Sequence, residues 1–184
     1  MEDIFVKGTR ILGPWDYDQF VSSIQKDYLQ DIFNICFWTG MRYVEVQRLH
    51  GHPEWYWPQR RTIHLPEEAQ RKAKRKQVER YIYPIPPQVE GILKYFFKGR
   101  KPPTQTAWNN NLIRWAEKAD MNPRGITSKS TRKSIESWMI AADIPLNEIC
   151  LRQGHDSLTS MRHYQGLPFT LAEQEEIKKR LAWF

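Results

Sequence analysis

Between residues 18 and 37 the apolar side chains Phe20, Val21, Ile24, Tyr28, Ile32, Phe33, Ile35 and Cys36 recur at helical spacing, and the run stops at Gly40. That period predicts one long amphipathic helix, whose apolar stripe must be buried against other elements. The helical rhythm resumes over residues 41–49, where the Thr39 hydroxyl is placed to cap the free amides of the next turn and Arg42 falls within that turn. It lapses between Trp55 and Pro86. There RTIHL (61–65) and RYIYPI (80–85) read as two short strands, separated by a basic stretch at 70–77, and predict a β-hairpin or small sheet with a cationic connection. Helices return at 89–97 and 108–119, with 98–103 as a loop. Ser128 is placed to cap a helix running through Ala142, residues 146–152 make a shorter one ending at Gly154, and Ser157 starts another that carries Tyr164. The tail 170–184 opens on a Thr-x-x-Glu capping box with acids early and bases late, and its side Leu171, Ile177, Leu181 and Phe184 needs a surface to pack on.

A chain of 184 residues fits one ordinary domain. The excess of 28 Lys and Arg over 21 acids, a net charge of +7, must lie on the surface and favours a polyanionic partner. Eight Trp among 13% aromatic residues exclude a disordered basic tail. Cys36 and Cys150 lie in separate apolar patterns, without CxxC or Cys/His ligand spacing. No disulfide framework, zinc site or other metal site is indicated, and both are expected as core thiols in a reducing compartment. No apolar run approaches the roughly eighteen residues of a membrane span, and the N-terminal MEDIFVKGTR lacks the apolar stretch of a signal peptide, so a cytoplasmic location with no membrane partner is expected.

Phosphodiester transfer without a metal needs a nucleophile, cations to bear the charge growing on the nonbridging oxygens, and an acid for the departing 5′ oxygen. Arginine suits the second role, because its fork donates two parallel hydrogen bonds and keeps its charge. The residues Thr39-Gly40-Met41-Arg42-Tyr43-Val44-Glu45, followed by Leu49, resemble the first box of the tyrosine recombinases, Thr-Gly-x-Arg-x-x-Glu-x-x-x-Leu. Lys129-Ser130-Thr131-Arg132 stands where that family usually has His-x-x-Arg, a Lys-for-His departure that also occurs in archaeal members. Gly154-His155, then Tyr164 nine residues later with Thr159 and Ser160 between, is similar to the family's closing pattern, and the twenty-three residues from Arg132 to His155 match its spacing. The resemblance covers roughly residues 33–170.

It implies a fold that is mainly α with a small antiparallel β-sheet (α+β), the catalytic domain of a site-specific DNA recombinase or integrase. It also implies that Tyr164 attacks DNA to form a 3′-phosphotyrosyl link, that Arg42 and Arg132 hold the scissile phosphate, and that Lys129 and His155 assist with hydrogen bonds and proton movement. The family's remaining catalytic residue is a hairpin Lys; counting back from Pro84 gives Lys76, with Lys74 and Lys72 within loop slippage. Arg71, Lys72, Lys74 and Arg75 are expected to contact DNA phosphates. Residues 1–184 are then one catalytic domain with a lead-in at 1–17 and a C-terminal helix at 170–184; the family's N-terminal core-binding domain has no room before Asp18. Double-stranded DNA is the implied partner, with tetramers on paired sites, the C-terminal helix packing in cis or in trans, and no cofactor.

Blander readings stand beside these. Arg42 and Glu45 are spaced to pair across one turn, Lys129 and Arg132 to form a solvated basic stripe, His155 to fill a corner, and Tyr164 to be a core tyrosine with a satisfied hydroxyl. His50, His52, His64 and His163 match no motif, and the Trp residues are expected in core or rim packing, with contact to DNA the alternative for Trp108 at a loop-to-helix junction. Two other classes remain: a DNA-binding accessory protein on the same fold that has lost catalysis, and a basic helical adaptor without DNA chemistry.

Overall fold

The computed structural model describes residues 2–69, 79–155 and 166–184. The predicted long helix is two helices, α1 (Pro14–Ser22) and α2 (Asp27–Thr39). Two consecutive serines explain the break: Ser22 Oγ donates to Asp18 O and Ser23 Oγ to Phe20 O, so side chains take carbonyls at the end of α1. The second helix is the centre of the molecule. Ile32, Phe33, Ile35, Cys36 and Phe37 are all buried, more of the circumference than one amphipathic stripe would cover, because neighbours pack on several sides. Tyr17, Phe37, Trp38 and Trp138 form an aromatic cluster, with Trp38 Nε1 donating to Tyr17 Oη at 2.8 Å and Trp138 Nε1 to Leu12 O at 2.9 Å, so the buried polar tips are satisfied.

The N-terminal residues form a hairpin of β1 (Ile4–Val6) and β2 (Thr9–Ile11), turned at Lys7 and Gly8 with φ of 48° and 69°, and then open α1. Helix α6 (Ser130–Ala141) locks the hairpin in place: Lys133 Nζ donates to Val6 O at 2.7 Å, and Leu12 N donates to Ser134 Oγ at 2.8 Å.

The middle of the chain carries helix α3 (Tyr43–Leu49) and a three-stranded antiparallel sheet of β3 (Tyr56–Trp57), β4 (Thr62–Leu65) and β5 (Arg80–Ile82), in that order. The two expected strands pair Ile63 with Ile82 and Leu65 with Arg80; β3 is an unforeseen third, too short for an alternating pattern to reveal. Helices α4 (Pro87–Phe96) and α5 (Gln105–Lys118) follow. Thr104 caps α5, accepting from Ala107 N, so the helix starts three residues earlier than expected and Trp108 faces inward. At 1% exposure and stacked on Tyr43 at 4.5 Å, Trp108 is a core residue and not a DNA contact.

Helix α7 (Leu146–Gln153) ends on Gly154 in the left-handed conformation (φ 65°), as its sequence predicts. The last helix, α8 (Leu171–Arg180), keeps its capping box, with Thr170 N donating to Glu173 Oε2 at 2.7 Å and Glu173 N to Thr170 Oγ1 at 3.2 Å. It packs on α6 and α1 of the same chain through Ile177 and Leu181, while Leu171 is 78% exposed and lies off that face. Cys36 is a core thiol, raised by burial; Cys150 is only half-buried, contrary to expectation. Among the described residues no helix is long and apolar enough to cross a membrane.

Candidate active site

Arg42 sits at the boundary between two helices, and Gly40 puts it there. Gly40 adopts φ 68°, and a Cβ at this position would meet the Gln153 side-chain amide, so both the backbone and the space require glycine. Thr39, expected to cap α3, is instead the last residue of α2: its hydroxyl donates back to Ile35 O and accepts from Met41 N at 3.2 Å. Arg42 itself is the N-cap of α3, and the reciprocal bond comes from Glu45, whose Oε2 accepts from Arg42 N at 2.7 Å.

Glu45 is fully buried, and the site is organised around it. Its Oε1 accepts from Arg42 Nη1 at 2.8 Å and its Oε2 from Arg80 Nη2 at 2.6 Å. Burial by itself raises the Glu45 carboxyl, but Arg80, Arg132 and Arg42 together outweigh it and hold the group below the usual carboxylate range. Arg80 Nη1 goes on to Gln153 O at 3.1 Å. The same carbonyl accepts from Arg132 Nη2, while Arg132 Nη1 donates to Gly40 O at 2.7 Å. Arg42 and Arg132, ninety residues apart in the chain, are thus brought together through Glu45, Arg80 and the Gly40 and Gln153 carbonyls.

Arg132 is buried rather than part of a solvated stripe; burial, then Arg80 and Arg42, lower its guanidinium well below the ordinary value. Two of its five N–H groups are spent on carbonyls, which fixes the plane of the fork and leaves donors for an anion. Lys129 is the exposed N-cap of α6, one turn before it. His155 follows Gln153 by two residues, and its Nε2 lies 2.8 Å from Oε1 of buried Glu136, which stands one turn beyond Arg132 on α6. Three guanidinium groups face two carboxylates here, Glu45 and Glu136, an excess of positive charge with low exposure that suits a bound phosphate diester.

Tyr164 lies outside the described residues, as do Lys72, Lys74, Lys76, Arg71 and Arg75, between Ala69 and Glu79. Sequence reasoning missed Arg80, Gln153 and Glu136, and it named Glu45 as part of the first box and a one-turn partner of Arg42 without assigning it a place in the site. Arg80 left a trace: it occupies the same face of its strand as Ile82, an arginine at an inward position. Arg152 left another, because it follows Ile149 by one turn on the apolar side of α7; it donates to Pro84 O and Trp38 O at 2.7 and 2.9 Å. Among the described residues no cluster of His, Cys, Asp and Glu is arranged to hold a metal ion.

The fold is similar to that of a transposon integrase. The structure superimposes on the Tn1549 transposon integrase in complex with transposon right end DNA with a TM-score of 0.71 at 18% identity, covering 99% of this chain and 67% of the other. Against the same integrase in complex with circular intermediate DNA, the TM-score is 0.70 at 17% identity over 93% of this chain and 66% of the other. The chain therefore spans about two thirds of the integrase chains it matches. No protein family and no curated protein sequence matches it.

Proposed function

We propose that the chain is the catalytic domain of a tyrosine-type site-specific DNA recombinase that cleaves and rejoins DNA without a cofactor. The observation that carries this reading is the convergence of Arg42 and Arg132 on one buried, charge-excess cluster, within a fold shared with a DNA-bound integrase. In the reaction the Tyr164 oxygen attacks the phosphorus, a 3′-phosphotyrosyl bond forms, and the bond to the 5′ oxygen breaks. The arginines carry the charge that builds on the nonbridging oxygens, and Lys129 and His155 assist with hydrogen bonds and proton movement. The 5′ oxygen leaves with a proton from a hairpin lysine, Lys76 before Lys74 or Lys72, and later attacks the phosphotyrosine in reverse. Arg71, Lys72, Lys74 and Arg75 would add phosphate contacts in double-stranded DNA. Tetramers on paired sites and an archaeal virus or plasmid as the source, the latter suggested by Lys129, belong to the same reading.

The experiment is incubation with nicked suicide DNA substrates, which lose the 5′ fragment and trap the intermediate. A covalent adduct on Tyr164, absent in Tyr164→Phe and formed in the presence of chelator, is expected; an adduct that persists in Tyr164→Phe removes the nucleophile. A second reading, a DNA-binding protein without catalysis, is favoured by Arg132 spending its fork on the Gly40 and Gln153 carbonyls. Tight DNA binding with no adduct on any nicked substrate would establish it.

A further inference from the structure

The three-stranded sheet has two faces of different character. Ile63, Leu65, Arg80 and Ile82 point inward and are buried. Trp57, His64 and Tyr81 lie on the other side and form a contiguous row of rings: His64 stacks on Tyr81 at 4.7 Å with planes 14° apart, and Trp57 lies 5.3 Å from His64 and 5.8 Å from Tyr81. Glu79 braces the row at 2.8 Å from His64 Nε2. Tyr81 is 45% exposed and Tyr83, just beyond the strand, 62%. Beside them opens a cavity of about 680 Å³ whose lining includes Trp57, Arg60, Arg61, Thr62, Tyr81 and Tyr83. That volume falls in the range of small-ligand sites, roughly 300–1,000 Å³.

We propose that this face is a stacking site for the unpaired bases of a single DNA strand. Its lining offers flat aromatic surfaces and two guanidinium groups, Arg61 paired with Glu90 and Arg60 exposed, while Glu79 stands at the edge on His64. Arg61 is held rigid by Glu90 Oε1 at 2.6 Å and Ile85 O at 2.9 Å, so its plane is preset, whereas Arg60 is exposed beside it and free to follow a phosphate. Rings that accept π faces, set beside cations that accept phosphates, fit a nucleic acid strand better than an acidic peptide, which brings charge without flat surfaces. A duplex hides its base faces and shows only their edges, so stacking here requires unpaired nucleotides. The binding stands independently of strand transfer. Its use rests on the proposed function, in which a cleaved strand is unpaired between leaving one partner and joining the next.

The test uses the full chain and an oligothymidylate of about ten nucleotides carrying 5-iodouracil, within the span such sites cover. Photo-crosslinks are expected on Trp57, Tyr81 or Tyr83. Tyr83→Ala and Tyr81→Ala should each weaken oligonucleotide binding on the order of tenfold, the scale of one lost stacking partner, with duplex affinity unchanged within about twofold. The loss should persist at raised salt, where phosphate contacts fade. Should Tyr81→Ala disturb the sheet, Tyr83→Ala and Arg60→Ala, both at exposed positions, carry the test. Crosslinks confined to other regions, or a Tyr83→Ala protein that binds the oligonucleotide as tightly as the parent, would overturn the proposal, as would selective capture of an acidic aromatic peptide. Crosslinks on the sheet without any Tyr164 adduct would sink strand transfer and leave this site standing; the reverse pattern would sink the site alone.

Discussion

Glu45 faces Arg42, Arg80 and Arg132 from the interior, and its neutral isostere separates charge from shape. Its carboxyl is lowered in the folded protein, so its contribution is full above the ordinary glutamate pKa of about 4.3 and is lost as pH falls through the lower folded value. Glu45→Gln removes the buried carboxylate that Arg42 and Arg80 bond and is expected to destabilise by about 3–5 kcal/mol at neutral pH. It should also flatten the acid limb of the stability curve below about pH 4, read from urea midpoints between pH 3 and 7. An unchanged acid limb would show that other carboxylates control it. Arg42→Ala and Arg132→Ala test the chemistry. Each should slow cleavage of suicide substrates by about a hundredfold or more with a much smaller loss in DNA affinity, since the charge they meet is greatest in the transition state. Equal losses in rate and affinity would make both ordinary phosphate anchors.

The decisive elements are the short joints between helices. Gly40 turns the chain from α2 into α3 in a conformation that disfavours a side chain, against the Gln153 amide. Gly40→Ala should therefore destabilise by more than the roughly 1 kcal/mol that a compatible glycine replacement gains, and by moving Arg42 it should lower cleavage more than stability alone explains. Thermal melts paired with cleavage rates at a temperature where the variant is fully folded would show this; normal cleavage would mean that the joint has slack. Sequence reasoning found the glycine and the arginine but assigned the cap to Thr39, because Thr is a good cap residue and Arg is not, although Glu45 three residues after Arg42 carried half of the capping-box signal. It likewise joined α1 and α2, because periodicity continues across Ser22 and Ser23 even where their hydroxyls end the helix.

Across the whole molecule, α8 ties the end of the chain to α6, the helix that carries Arg132, and to α1. Ile177 and Leu171 both belong to the apolar side expected from sequence, yet Ile177 is fully buried and Leu171 is 78% exposed. Ile177→Ala is expected to destabilise by about 2–5 kcal/mol and Leu171→Ala by no more than about 0.5 kcal/mol in denaturant titrations. Similar costs for the two would mean that α8 is seated on a different face in solution.

By itself the sequence determined the helical framework, the paired strands β4 and β5, the glycine that ends α7, the capping box of α8 and the candidate residues Arg42, Arg132 and His155. These are signals of period, turn chemistry and motif spacing, all carried within a few consecutive residues. Only the tertiary structure decided that Arg80, from a strand, would join Glu45 to the Gln153 carbonyl and so link Arg42 on the carboxylate to Arg132 on that carbonyl, and that Trp57, His64 and Tyr81 would share one open face. Such partners lie tens of residues apart. Their meeting is fixed by how α2, α6 and β5 pack; the local pattern can show that Arg80 points inward but not which residues it meets.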